Sequence, residues 1–139
     1  MNINPVFSDE VCRKLAGLGR TEDIKFSPDG RRLAIAGFNC NKILILELDC
    51  DFTDIHKNLV ISDFAEISSL SLKNPHGLAF LDDKTLIVAN RKGGASVLRL
   101  PPRGAVEKIV ELPDLGVIPS NLWLYSPGSV SAICLKKGL

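Results

Sequence analysis

Residues 26–37 read FSPDGRRLAIAG, and residues 80–90 read FLDDKTLIVAN. Ahead of the first turn Ile24 and Phe26 alternate with Asp23 and Lys25. Beyond it Leu33 and Ile35 resume the apolar face, which is the period of two of a half-buried strand. SPDG places Pro second and Gly fourth in a tight turn. Each stretch therefore predicts a β-hairpin. Phe26 to Phe80 is an offset of 54 residues and Leu33 to Leu86 one of 53, so the two copies differ by one residue in the first turn.

Outward from the first hairpin, FNCN at 38–41 turns the chain into KILILEL at 42–48, whose ILIL centre is apolar on both faces, as for a strand covered above and below. DCDFTD reads as a polar loop, LVISDF at 59–64 as a fourth strand, and EISSLSLKNP as the connection back. The second copy runs in the same order: GLAFL at 77–81, TLIVAN at 85–90, SVLRL at 96–100 and AVEKIVEL at 105–112. A third copy opens at IPSNLWLYS, 118–126, and continues in SVSAICLK, 129–136. A period near 50 with four short strands per unit is the pattern of a propeller blade, a small sheet that needs neighbours on both faces. The expected fold class is all-β, with propeller-type blades of four antiparallel strands in an incomplete ring. Within one domain spanning 1–139, the expected divisions are an N-terminal helix or arm at 1–20, blade one at 21–64, blade two at 65–113 and a partial blade three at 114–139.

For the N-terminal part, Phe7, Val11, Leu15 and Leu18 recur at helical spacing, Ser8 can cap, and Asp9 and Glu10 occupy the first turn. A strand through VCRKLAG is the competing reading. Closed propellers use roughly four to eight blades, so about two and a half require a cover for the exposed faces. Self-association, a protein partner or a longer parent chain would each supply it.

With 45 % apolar and 24 % charged residues over 139 positions, the composition is that of a globular domain with a real core. A net charge of +1 gives no footprint for nucleic acid or an anionic membrane. The pairs Arg31-Arg32, Arg91-Lys92 and Lys136-Lys137 read as solvated charges at turns or the terminus. No apolar run approaches the ~20 residues that span a bilayer, and MNINPVFSDEV lacks the basic and apolar regions of a secretory signal, so the expected location is cytoplasmic. Cys12, Cys40, Cys50 and Cys134 form no C-x-x-C pair and read as reduced, mostly buried thiols. A bridge between Cys40 and Cys50, which flank KILILEL, is compatible with the spacing but not required by it.

PHGLAFLDDKTLIVAN, 75–90, resembles the blade opening of gluconolactonase-like and NHL-repeat propellers, P-[NH]-G-[LI]-A-[FV]-x-x-D-G-x-x-[LI]-[YI]-V-A-[DN]. IKFSPDGRRLAIAG, 24–37, resembles the hairpin shared by those families, by TolB-like propellers and by WD-repeat proteins. The resemblance covers roughly 21–113 and points to the fold far more than to an activity. In the gluconolactonase-like group a divalent cation sits on the propeller axis, held by glutamate, asparagine and aspartate. Carried over residue by residue, the resemblance implies a calcium or other divalent site at Glu22, His76 and Asn90. His76 stands where the family has asparagine, and Asn90 adds no charge, which weakens a hard-cation site. The competing reading makes His76 a turn residue whose ring bonds a backbone carbonyl.

Other candidate chemistry is thin. Asp49, Asp51 and Asp54, with His56 behind them, lack the glycine and terminal glutamate of an EF-hand loop. Neither histidine sits near a G-x-S-x-G elbow, and RKGGA at 91–95 lacks the phosphate-loop frame and reads as a tight hairpin with glycine at positive φ. Trp123, Tyr125 and Phe38 read as core packing. The expectation is a non-catalytic propeller-type binding or scaffolding module contacting a protein partner or another copy of itself. The alternative is a metal-dependent lactone or ester hydrolase of the gluconolactonase-like type, in which a cation activates water.

Overall fold

The hairpin turns show why the chain doubles back where it does. In the first, Gly30 takes φ +70°, which only glycine adopts without strain, and donates its N–H to the Ser27 carbonyl at 2.9 Å. Asp29 Oδ1 accepts from the Ser27 hydroxyl at 2.6 Å and from the Arg31 N–H at 2.9 Å. In the second, Asp82 plays that part for the Lys84 N–H and the Thr85 hydroxyl, at 2.7 and 3.0 Å. The two turns also touch, the Asp29 N–H donating to Asp83 Oδ1 at 2.8 Å.

This computed structural model describes residues 4–51, 58–119 and 127–130. The chain is mostly β, with one short helix. Its elements are β1 (Asn4–Val6), α1 (Asp9–Gly17), β2 (Thr21–Phe26), β3 (Arg32–Gly37), β4 (Lys42–Asp51), β5 (Asn58–Ser68), β6 (Pro75–Asp82), β7 (Thr85–Asn90), β8 (Ala95–Arg99), β9 (Ile109–Glu111) and β10 (Asp114–Ile118). Two sheets result. One runs β1-β5-β4-β3-β2, with β9 also on β5; the other runs β10-β8-β7-β6. Within each, β2 to β5 and β6 to β8 follow antiparallel meanders, while β1 and β9 add to β5 in parallel.

Pairing sets the two hairpins in matching register. Phe26 faces Leu33 and Ile24 faces Ile35 in the first sheet; Phe80 faces Leu86 and Leu78 faces Val88 in the second. The sheets pack face to face, and one core joins Ala34, Ala36, Ile43, Ile45 and Ile67 of the first to Leu78, Phe80, Leu86, Val88 and Leu98 of the second. On the far side of the first sheet Ile35, Leu44, Leu46, Leu48 and Phe64 meet Val11 and Leu18 from the helix region. The ILIL run is thus covered on both faces, at 0 to 1 % exposure along 43–46. Ser8 caps α1 by accepting the Val11 N–H, which sets the helix with Val11 against the sheet.

Several sequence expectations are corrected. AVEKIVEL does not form the fourth strand of the second sheet: Ile109–Glu111 pairs with β5 of the first, and Asp114–Ile118 takes the place beside β8. The reason is polarity and reach, since Val110 and Leu112 pack on the shared core from the first sheet's edge. β4 extends to Asp51, so Asp49 and Asp51 stand on a strand and not in a loop, and β5 runs on to Ser68 through residues expected in the connection. Cys40 is a free thiol and only half-buried, and Cys12, also free, is exposed, against the expectation of buried thiols. Cys40 lies in the turn before β4, whereas Cys50 lies near that strand's far end, and strand residues advance about 3.3 Å each, which no disulfide spans. At 91–95 the Asn90 N–H bonds the Gly94 carbonyl at 3.0 Å, but neither glycine has positive φ. Gly94 is needed for close approach: a Cβ there would stand 1.6 Å from the Ile118 carbonyl oxygen on β10. Asp54, His56, Trp123, Tyr125, Cys134, Lys136, Lys137 and, of the expected third blade, residues 120–126 and 131–139 lie outside the described residues.

Candidate functional site

Of the three residues carried over from the resemblance, the fold brings two together. Glu22 on β2 and His76 on β6 meet across the gap between the sheets, His76 Nε2 standing 3.2 Å from Glu22 Oε2. Beside them the two strands are tied together, the Asp23 carboxylate next to Glu22 accepting the N–H of Leu78, two residues beyond His76, at 2.9 Å. His76 Nδ1 contacts the Gly128 carbonyl oxygen, which can only accept, so Nδ1 carries the proton. A Cβ at Gly77 would lie 2.6 Å from Ser129 Cα, so the 127–130 segment runs directly against β6.

Around this pair are groups that sequence reading did not single out. Arg91 Nη2 is 3.2 Å from His76 Nε2. Arg20 forms an ion pair with Glu22 Oε1, a buried oxygen that makes no hydrogen bond, and its guanidinium lies 4.6 Å over the Phe38 ring. Phe38 in turn meets the His76 ring edge-on, 6.4 Å between centroids at 80°. The neutral His76 ring accepts from Arg91; a protonated one donates to Glu22. Two guanidinium groups therefore flank the place where a cation would be held, and a metal ion would have to displace Arg91 from Nε2 and Arg20 from Glu22. Only their position on the chain, at the strand ends beside the two motifs, could have signalled them.

Asn90 serves the hairpin. It is 1 % exposed. Its Oδ1 accepts the Lys73 N–H at 3.0 Å, and its Nδ2 donates to Ser96 Oγ at 2.9 Å and to the Gly94 carbonyl at 3.3 Å. The amide is thereby occupied by protein. Among the described residues no group of three or more His, Cys, Asp or Glu side chains is placed to hold a metal ion. Asp49 is exposed and pairs with Arg103 at 3.4 Å.

At the turn end of the sheets, Arg32 overturns the reading of Arg31-Arg32 as solvated charges. It is 3 % exposed. Strand register sets Arg32 opposite Glu47, and the two ion-pair at 3.0 Å, with Arg103 closing on the same carboxylate at 2.7 Å. Opposite charges at matching positions of consecutive strands were the signal for this pair. Among the described residues no helix is long and apolar enough to cross a membrane. No protein-family model matches the chain, and comparison with curated proteins and with solved structures returns no significant match.

Proposed function

We propose that the two sheets are successive blades of a propeller-type assembly and that the chain is a non-catalytic binding or scaffolding module, whose partner is a second copy of itself. One observation carries this reading: the sheets are stacked in the same sense. Leu78 and Phe80, on the face of the second sheet that meets the first, are 0 and 8 % exposed, while Ile24 and Phe26, at matching positions of the first sheet, are 52 and 59 % exposed. Helix α1 packs on that face at β5, three strands away from β2. What covers Leu78 and Phe80 is the face of the first sheet opposite to the one that carries Ile24 and Phe26, with Ala34 and Ile45 paired on it. The second sheet carries the same kind of face, with Ile87 and Val97 paired at the corresponding places and half-buried. A second copy thus offers Ile24 and Phe26 the surface that the first sheet offers Leu78 and Phe80.

Sedimentation equilibrium of the full chain tests this. The expected result is a mass of two or three times the monomer, returned to monomer by Phe26→Lys. A wild-type monomer at every concentration contradicts it.

A further inference from the structure

Ile24, Leu78 and Val130 stand 54 and then 52 residues apart along the chain, as do Glu22, His76 and Gly128. The first two members of each set belong to strands that meet in the fold: His76 Nε2 is 3.2 Å from Glu22 Oε2, and the Leu78 N–H reaches the Asp23 carboxylate at 2.9 Å. The third member continues the series. His76 donates from its other ring nitrogen, Nδ1, to the Gly128 carbonyl, so one imidazole touches both of its repeat equivalents. Residues 127–130 therefore stand to β6 as β6 stands to β2.

Two glycines make room for that contact. A Cβ at Gly77 would come within 2.6 Å of Ser129 Cα and 3.0 Å of the Val130 nitrogen, and one at Gly128 within 2.8 Å of Arg91 Nη2. Successive strand residues point to opposite faces, and Leu78 points into the core shared with the first sheet. Gly77 thus points the other way, on the face where Ala79 pairs with Ile87 and Ile87 with Val97. That is the face a second copy would lay over Ile24 and Phe26. The segment occupying it is lightly held. Val130 is half-buried and Ser129 exposed, and among the described residues no backbone-to-backbone hydrogen bond joins 127–130 to β6.

We infer that residues 127–130 are a displaceable plug on the second sheet, with the chain's own Val130 holding the place that Ile24 of a second copy takes when two chains associate. This role rests on the self-association proposed above and supplies its regulation. Association draws only on the fraction of chains in which the segment has left Gly77, and the apparent dissociation constant rises by the inverse of that fraction. A charge at position 130 disfavours the seated segment, and it leaves both sheets whole because Val130 belongs to neither core.

The test is sedimentation velocity of the full chain over a concentration series, wild type against Val130→Asp. Val130→Asp is expected to associate about tenfold more tightly, and Val130→Asp combined with Phe26→Lys to be monomeric, which ties the gain to the surface named above. In NOE spectra the Hα contact between Gly77 and Ser129 is expected in dilute wild-type protein and is lost as the chains associate. Amide spectra of each variant report that both sheets are retained. Association of neither the wild type nor Val130→Asp would contradict the self-association and the plug with it. Wild-type association that Val130→Asp leaves unchanged or weakens, or a Gly77–Ser129 contact that persists in the associated form, would overturn the plug alone.

Discussion

Single carboxylates tune this molecule's response to pH. Glu66 on β5 is gripped by Lys42 from β4 and by Lys14 from α1, the latter at 3.2 Å. Hydrogen bonding from Lys42 outweighs the opposing effect of burial and holds the Glu66 carboxyl below its ordinary 4.5, while the same bond lifts Lys42 above 10.5. Because the folded carboxyl has the lower value, its stabilisation is complete above about pH 4.5 and is lost as pH falls through the folded value. For Lys42 the sign is reversed: stabilisation is present below 10.5 and is lost as pH rises through the folded value. Both lysines are partly solvated, so screening keeps the cluster's worth to about 1 kcal/mol. Urea denaturation of Glu66→Gln should show that loss at neutral pH and a shallower fall in stability below pH 4.5 than the wild type. Equal acid slopes would refute it. Asp82, lowered chiefly by the Lys84 N–H, retains its own part of the slope in the variant.

Among the elements, position on equivalent strands does not mean equal energetic weight. Leu78 on β6 and Ile24 on β2 hold matching places in their hairpins, but one is fully enclosed and the other half exposed. Leu78→Ala should cost about 3 kcal/mol, the transfer of a buried side chain plus the cavity it leaves. Ile24→Ala should cost less than about 1 kcal/mol in dilute protein, where association is absent. Equal losses in denaturant titrations would show that the sheets are not stacked in the same sense. The hairpins themselves were legible in the chain because turn chemistry and period-two alternation act over a few residues: β7 is TLIVAN, as expected. The fourth strand of the second sheet was not. Ile109–Glu111 and Asp114–Ile118 are both short and mostly exposed, so neither carries a burial pattern that says which sheet it joins. The choice is made by contacts far along the chain, such as the Leu112 N–H bonding the Ser68 carbonyl at 2.8 Å. In the same way Glu22 and His76 were legible as a pair through their motifs, whereas Arg20 and Arg91 reach them only through the folded turns.

Taken whole, the molecule is two sheets sharing one interior, and everything proposed for it depends on that. Stacking brings Glu22 to His76 and brings the two turns together, and it leaves Ile24 and Phe26 as the uncovered end of the stack. Methyl NOE spectroscopy of the Ile-, Leu- and Val-labelled chain tests it most directly. Cross-peaks should connect Ile43, Ile45 or Ile67 of the first sheet with Leu78, Leu86 or Leu98 of the second. Methyl contacts confined within each sheet, with none between these two sets, would contradict the shared core.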